Sequence, residues 1–355
     1  MAVAARVRGK VRRVSEKIQK KFCNKGLILM YHRIGEEDID PWSLRVTPEH
    51  FAEHLEVLNE HTKPMSLKEL ARGHREGNMR DRAVAITFDD GYANNLHQAK
   101  PILEKYQIPA TVFVTTEYIS NPREFWWDEL ERIILQTEQL PQTLSLTIDG
   151  QKQQWDLTTC ANYGKSEAWS NRHLPAWDSK SGSRLRFYYE LWAKLQPLTP
   201  AQRQPLLEQI KAWANDRFPA PRLSHRPLTV AELREAERGG TIELGGHTVS
   251  HPLLSEQSVE VQQQEIEQGK LDLEKLLDRR VTSFAYPFGA YNQETIPIVE
   301  KAGFECACST VENSVWHKSD RFSLPRFEVQ NWNKAEFERR LLSWLNKRST
   351  TNYYN

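Results

Sequence analysis

The strongest constraint on the fold is a repeated alternation of short apolar runs with segments of helical periodicity. Apolar runs lie at 27–32, 83–88, 110–115, 241–246, 283–286 and 304–308, and helical patterns lie at 47–58, 96–106, 257–278 and 292–302. Strands that alternate with helices form parallel βαβ units. We therefore predict an α/β fold, either a barrel or an open sheet. Thr47 and Pro48 have the residue types of a helix cap and a first helical position.

Residues 121–224 interrupt this alternation. They contain helical patterns at 125–136, 184–195 and 201–215, and 143–157 alternates apolar and polar residues around Asp149-Gly150, a pattern typical of a hairpin. We predict that this interval is a mainly helical subdomain inserted into the α/β core. The core then consists of residues 26–120 together with 225–347.

The N-terminal residues 1–25 differ from the rest of the chain in charge. They carry nine Lys or Arg and one acid, whereas the whole chain has a net charge of only +1. Apolar residues at steps of three and four predict an amphipathic helix. The helix could lie on an anionic membrane surface or pack against its own domain. No interleaved aromatic residues support nucleic-acid binding.

The chain has no run of about 20 apolar residues that would span a membrane, and its start lacks the apolar core of a secretory signal. These observations predict a cytoplasmic protein, with peripheral contact at the inner membrane face as one option. The four cysteines fit no metal-binding or disulfide spacing, so we expect reduced thiols.

Two adjacent carboxylates end the apolar run 83–88. Asp89 and Asp90 are followed by Gly91 and Tyr92. Catalytic groups collect at the carboxyl ends of strands in parallel α/β folds. Two neighbouring acids there are best explained by a nearby cation, with one carboxylate as a ligand and the other as a base. A simple Asp-Gly turn is the alternative.

Further polar residues follow other strands. His247 and His251 come after 241–246, and two imidazoles four residues apart can converge on Zn, Fe, Ni or Co. Pro252 disfavours helical geometry at His251, so a loop is expected. His32 ends the first run. Each feature alone has an ordinary structural explanation.

Taken in order, these residues resemble the polysaccharide deacetylase family, also known as the NodB-homology or carbohydrate esterase family 4 group. The segments that carry the resemblance are 87–92 (TFDDGY), 247–251 (HTVSH) and 284–289 (FAYPFG). The resemblance covers roughly 26–120 and 225–330. It implies a distorted (β/α)7-type barrel that removes acetyl groups from N-acetylated sugars.

The resemblance also implies the roles of individual residues. Asp90, His247 and His251 would bind a divalent metal, most often Zn, with Ni, Co or Fe as alternatives, and Asp89 would be the general base. The remaining positions are substrate-binding candidates: Tyr92, Trp127, Tyr286, Pro287, Phe288 and Arg326. For Trp127, packing in a core is the alternative to a sugar platform.

Two departures from the family pattern require other residues. The usual C-terminal Leu-x-His motif is absent, so the resemblance to circularly permuted members assigns the general acid to His32. Ala285 stands where many members have an Arg that pairs with the base. Either Arg326 or Arg33 could replace that cation.

The expected activity is metal-dependent hydrolysis of an N-acetyl group on a glycan or glycan precursor. The predicted cytoplasmic location favours a lipid-linked or nucleotide-linked saccharide. Two alternatives stay open: a deacylase or deformylase of a different amide, and a catalytically silent sugar-binding module on the same fold. The intact acid and histidine set argues against the silent module.

Overall fold

The computed structural model describes residues 25–36, 39–120, 123–172, 174–215 and 218–347. The strands are β1 (Gly26–Tyr31), β2 (Arg33–Ile34), β3 (Arg45–Val46), β4 (Lys63–Pro64), β5 (Ala83–Phe88), β6 (Ala110–Val114), β7 (Thr143–Ile148), β8 (Gln151–Asp156), β9 (Ile242–Gly246), β10 (Ser283–Ala285), β11 (Cys306–Cys308) and β12 (Phe327–Glu328). The α-helices are α1 (Pro48–His61), α2 (Leu67–Arg75), α3 (Lys100–Tyr106), α4 (Thr116–Ser120), α5 (Trp126–Leu135), α6 (Lys165–Asn171), α7 (Arg184–Leu195), α8 (Pro200–Trp213), α9 (Val230–Glu237), α10 (Val259–Leu277), α11 (Thr295–Lys301) and α12 (Lys334–Asn346).

The main sheet is parallel and strongly curved. Its strands follow the order β11-β10-β9-β6-β5-β1-β12, with β4 paired to the start of β5. An isolated parallel bridge joins Cys308 of β11 to Leu324, three residues before β12, so the two ends of the sheet approach each other. This arrangement confirms the predicted distorted (β/α) barrel.

The central strands are buried on both faces. Every residue of β1 and of β5 is buried, and the two strands pair in register from Gly26 with Ala83 to Tyr31 with Phe88. Helices cover the outside of parallel sheets, which explains why these strands are continuous apolar runs instead of alternating ones. The register places the residues after Tyr31 and Phe88 side by side.

Helix α1 begins as the sequence predicts. Thr47 has extended backbone geometry, its side chain accepts a hydrogen bond from the backbone N–H of His50, and Pro48 occupies the first turn. The pattern at 96–106 is more complex than one helix. A π-type turn spans Asn95–Ala99 before α3 begins, because Pro101 has no N–H to donate to the preceding turn.

The interval 121–224 contains the predicted hairpin and helices. Strands β7 and β8 pair antiparallel around Asp149 and Gly150, and both residues have positive φ. A separate apolar cluster, centred on α5, α7 and α8, lies under the hairpin. Tyr92 of the barrel also belongs to this cluster, so the interval packs directly against the strand end that carries Asp89 and Asp90.

Other expectations concern the termini and the thiols. The amphipathic helix expected for residues 1–25 falls almost entirely outside the described residues. Within the described ranges, no helix combines the length and apolar character required to cross a membrane. The described cysteines Cys160, Cys306 and Cys308 are buried free thiols.

Candidate active site and metal centre

One cavity brings together polar residues from three strand ends. It has a volume of about 360 Å³. His32 follows β1, Asp89 and Asp90 follow β5, and His247 and His251 follow β9; all five line the cavity. Because the three strands are parallel and belong to one sheet, residues up to 219 positions apart in the chain meet at one edge of that sheet.

Asp90 faces both histidines. Its Oδ1 lies 3.5 Å from His247 Nε2 and 3.2 Å from His251 Nε2, and the three side chains are at most 5% exposed. Burial alone would raise the pKa of Asp90, but the two adjacent imidazoles outweigh it and lower the pKa strongly. The carboxylate is therefore held in its charged form.

The backbone around these ligands adopts conformations that L-residues rarely use. Asp90 has φ of 70°, Thr248 has φ of 68° and His251 has φ of 59°. Such strain is maintained only where the surrounding structure requires it, and it concentrates at functional sites. Gly91 has φ of 73°, and a Cβ there would lie 2.6 Å from Val114. The Asp-Asp-Gly sequence therefore forms a tight strand-end turn that no larger residue fits.

Neighbouring groups fix the orientation of both imidazoles. His247 Nδ1 lies 2.7 Å from the carbonyl oxygen of Ala285, so Nδ1 carries the proton and Nε2 is free to bind an ion. The His251 ring packs between Trp127, at 4.7 Å between ring centroids, and Phe288, at 4.5 Å. Thus Ala285, where the family pattern has an Arg, orients a ligand through its backbone.

A carboxylate on α10 holds the loop between the two histidines. Glu265 accepts hydrogen bonds from the backbone N–H groups of Val249 (3.0 Å) and Ser250 (2.8 Å) and from the Ser250 hydroxyl (2.6 Å). Sequence reasoning missed Glu265, because it lies inside an ordinary helical pattern. It sets the left-handed turn that brings His251 back towards Asp90.

The donor set fits a divalent metal. A carboxylate oxygen and two imidazole nitrogens lie within 4.8 Å of one another, and this combination suits Zn and neighbouring transition metals. Among the described residues, the ion-pair partners of Asp90 are the two histidines alone. The remaining Nδ1 of His251 is buried without a hydrogen-bond partner among them. The charge of Asp90 is therefore available to a cation.

Asp89 has a different partner. Arg326 donates to both of its oxygens, at 2.7 and 2.6 Å, and Arg326 is 0% exposed. Burial alone would raise the pKa of Asp89, but the guanidinium outweighs it, so the pKa lies below its usual value. Arg33, the other candidate, pairs with Asp40 and Asp128 instead. The structure thus selects Arg326 as the cation that replaces the missing arginine.

His32 follows β1, the strand that pairs with β5, at the same edge of the sheet. Its positive form would favour the charged forms of Asp89 and Asp90, which shows that it is within electrostatic range of both. The side-chain amide of Asn95 donates a hydrogen bond of 2.8 Å to the backbone carbonyl oxygen of His32. Glu328 on β12 also lines the cavity. Loss of solvent raises the pKa of Glu328, and the charge of His32 opposes this shift.

The structure divides the substrate-binding candidates into two groups. Phe288 and Trp127 line the cavity, but Tyr92, Tyr286 and Pro287 are buried away from it, which contradicts direct substrate contact for these three. Tyr92 donates to Asp128 (2.7 Å), and Tyr286 donates to the carbonyl of Phe322 (2.7 Å). Arg326 likewise lies behind Asp89 and outside the cavity lining.

A second buried cluster of possible ligands has its charges compensated internally. Asp128, Glu131 and His225 lie close together. Arg222 donates to Glu131 at 2.7 Å, and Arg33 lies 3.8 Å from Asp128. Burial lowers the pKa of His225 strongly, and the two guanidinium groups lower it further. The positive charges of these arginines take the place that a metal ion would have. The cluster therefore joins residues 121–224 to the barrel through ion pairs.

Several cavity residues have no sequence motif that could have revealed them. They are Met30, Trp42, Leu44, Trp177, Trp192, Gln196, Thr310 and Glu328. Three of these lie within 121–224, so this interval forms part of the cavity wall. The only signal in the sequence was its high tryptophan content, with 11 Trp residues in the chain.

Comparison with known families and structures agrees with this geometry. Residues 76–139 and 210–307 match the family model described as polysaccharide deacetylase. The matched residues contain Asp89, Asp90, His247 and His251. His32 and Arg326 lie outside them.

Individual relatives extend the match. YxkH of Bacillus subtilis (strain 168) is 21% identical over 304 residues, which is 85% of this chain and 70% of that protein. The poly-beta-1,6-N-acetyl-D-glucosamine N-deacetylase of Staphylococcus epidermidis is 33% identical over 113 residues, 28% of this chain. The alignment spans only 38% of that enzyme. The Streptococcus pyogenes deacetylase PplD, solved in complex with acetate, superposes with a TM-score of 0.55 at 20% identity, covering 91% of this chain and 99% of PplD.

The fold, the metal-type ligand set and the neighbouring carboxylate define the class of a metal-dependent carbohydrate N-deacetylase. Within residues 76–139 and 210–307, the chain matches the polysaccharide deacetylase family.

Proposed function

We propose that this protein hydrolyses the N-acetyl group of an N-acetylglucosamine-type residue in a glycan, with Asp89 as base and His32 as acid. The observation that carries the proposal is the contrast between two adjacent carboxylates. Asp90 faces two imidazoles, whereas Asp89 is paired with Arg326 and still lines the cavity. Asp90 is therefore placed to bind a metal ion, and Asp89 is placed to accept a proton.

Asp90, His247 and His251 would hold the metal, for which Zn is our proposal. When bound, the metal lowers the pKa of a coordinated water and polarises the acetyl carbonyl. Because Ala285 and Glu265 orient the two histidines, the ligand set is arranged before the metal binds.

Asp89 takes the proton from the attacking water. Arg326 holds both oxygens of Asp89 and keeps the group ionised in the free enzyme. The buried ion pair also fixes the direction in which the carboxylate faces the cavity. A base must lie within hydrogen-bond reach of the proton it removes, so this rigidity is part of the chemistry.

His32 protonates the leaving amine. Cleavage of an amide requires this step, because an unprotonated amide nitrogen is a very poor leaving group. His32 is half-buried at the end of β1, on the strand next to β5, so it faces the same cavity from another direction. Glu328 lines the same cavity as His32.

The substrate proposal rests on relatives and on the cavity. The Staphylococcus epidermidis relative is named for poly-beta-1,6-N-acetyl-D-glucosamine, and we propose a related N-acetylated saccharide here. The basic sequence of residues 1–25 supports our proposal of peripheral membrane contact and of a lipid-linked precursor. We also propose a cytoplasmic location, in which a nucleotide-linked precursor would be a further substrate.

Acetate release tests the proposed function. Protein stripped of metal with a chelator should release no acetate from a β-1,6-linked N-acetylglucosamine tetramer, and one equivalent of Zn should restore release. N-formylglucosamine and N-acetylglucosamine, compared as substrates, distinguish a deformylase. If the metal-loaded protein binds the tetramer and releases no acetate with Zn, Co, Ni or Fe, it is a binding module and the proposal is wrong.

A further inference from the structure

The outer wall of the active-site cavity is built from three tryptophans that lie outside the part of the chain matched by the family model. Trp42 precedes the matched residues, and Trp177 and Trp192 lie in the interval between the two matched segments. We call these three residues the aromatic wall. The Trp42 and Trp192 rings are 4.2 Å apart, and Trp177 lies 6.1 Å from Trp42.

Specific polar contacts hold the aromatic wall in place. The Trp42 indole N–H donates to the Tyr188 hydroxyl at 2.6 Å. The backbone N–H of Ala176, next to Trp177, donates to the carbonyl of Pro41, next to Trp42, at 2.8 Å. The inserted interval is therefore attached to the loop before β3 at the place where the tryptophans meet.

The aromatic wall is continuous with the catalytic residues. Trp192 lies 6.0 Å from Phe288, and Phe288 packs at 4.5 Å on the His251 ring. A ligand whose acetyl group reaches Asp90 would therefore extend along Phe288 to the tryptophans. Trp177 is 44% exposed at the outer end, so its ring is accessible to a ligand.

We propose that the aromatic wall is a binding subsite for a second pyranose ring, the sugar next to the one that is deacetylated. This inference rests on the proposed function and adds to it the residues that contact the neighbouring sugar. A pyranose has an apolar face of C–H groups that stacks on an indole, and hydroxyls at its edge that require polar partners.

The cavity lining favours a sugar over an alkyl chain. Among the described residues, its aliphatic side chains are Met30 and Leu44, whereas Gln196 and Thr310 provide polar groups at its sides. The volume of about 360 Å³ is at the lower end of the range for small-ligand sites, roughly 300–1,000 Å³. It suits a pair of sugar rings and is small for a long lipid tail.

The test uses Trp177→Ala, because Trp177 is exposed and its loss should leave the fold intact. The matched control is Trp169→Ala, since Trp169 is 59% exposed in the same interval and lies outside the cavity lining. For the metal-loaded enzyme, kcat/KM is measured with the β-1,6-linked N-acetylglucosamine tetramer and with the monosaccharide. Calorimetric binding of the tetramer to Asp89→Asn protein gives a second readout.

For Trp177→Ala we expect the tetramer-to-monosaccharide ratio of kcat/KM to fall about tenfold, equal to about 1.4 kcal/mol. The loss should appear in KM, and Trp177→Phe should recover most of it. Trp169→Ala should keep the wild-type ratio. Equal ratios and equal tetramer affinities in Trp177→Ala and wild type would overturn the inference. A wild-type protein that binds the tetramer through Trp177 without releasing acetate would instead refute only the proposed function.

Discussion

Arg326 donates to both carboxylate oxygens of Asp89, although the two residues are 237 positions apart in the chain. The pair joins the residue after β5 to the residue before β12, two strands that flank β1. A bidentate guanidinium fixes the carboxylate in direction as well as in charge. The base of the proposed mechanism therefore depends on a cation supplied by the last strand of the sheet.

Replacement of Arg326 by Met should lower both activity and stability. Without the guanidinium, burial raises the pKa of Asp89, so the acidic limb of the kcat/KM profile should move to higher pH. The unpaired buried charge should cost about 3–5 kcal/mol in the free energy of unfolding. Denaturant unfolding and a pH–rate profile measure both effects.

The control for this variant is Arg321→Met, which removes a partly exposed Arg that pairs with Glu300. Such surface ion pairs contribute at most about 1 kcal/mol to the free energy of unfolding. An Arg326→Met protein with the wild-type pH profile would contradict the role of Arg326.

The residues of the metal site were predictable from sequence because each follows an apolar strand in a recognisable motif. Asp90, His247 and His251 sit in short motifs whose spacing is local. Arg326 could be named only as one of two candidates, since no local signal distinguishes it from Arg33. The barrel was predictable for the same reason as the ligands: continuous apolar runs of five or six residues are typical of buried parallel strands.

Other features depend on long-range packing and could not be predicted. Glu265 lies on the polar pattern of a helix, and only the folded structure shows that it holds the Val249 and Ser250 amides. Tyr92 and Tyr286 lie within two of the motif segments, and the family pattern suggested that they face substrate. Each instead has its hydroxyl bonded inside the protein, because side-chain direction after a strand is set by tertiary packing.

Replacement of His32 by Gln should lower the rate of amide hydrolysis far more than the rate of ester hydrolysis. General acid catalysis contributes roughly 10²–10⁴-fold, so acetate release from the N-acetylated tetramer should fall by that factor. An activated acetate ester, such as p-nitrophenyl acetate, has a leaving group that needs no proton and should be cleaved at nearly the wild-type rate. Equal losses with both substrates would show that His32 does not act as the acid.

Replacement of Glu265 by Gln should weaken metal binding without removing a ligand. Gln keeps one carbonyl acceptor but loses the charge and the second acceptor that hold the turn between the histidines. Loss of a residue that holds a metal ligand in position typically lowers metal affinity 10- to 100-fold. A zinc competition titration measures this change. Glu267→Gln, on the same helix, serves as control. The role assigned to Glu265 would be wrong if both variants bound zinc as tightly as wild type.

Asp128 should make stability depend on pH near neutrality. Burial raises its pKa to about 7, well above the usual value of 3.8. An acid with a raised pKa in the folded state is most stable when protonated, so the free energy of unfolding should fall as the pH rises through about 7. In Asp128→Asn this fall should be smaller, as measured by urea unfolding between pH 5 and 8.

The control for Asp128 is Asp81→Asn, a substitution at an exposed position. It should retain the pH dependence of the wild type. Identical pH dependence in Asp128→Asn and wild type would show that Asp128 stays ionised throughout this range.

The most direct test of the proposed mechanism is the Asp89→Asn variant, assayed for metal content and for acetate release on the same sample. The substitution keeps the shape of the side chain and leaves Asp90, His247 and His251 in place. We predict one equivalent of bound zinc and a rate of acetate release at least about 10²-fold below wild type. Zinc-loaded Asp89→Asn protein that releases acetate at the wild-type rate would contradict the account.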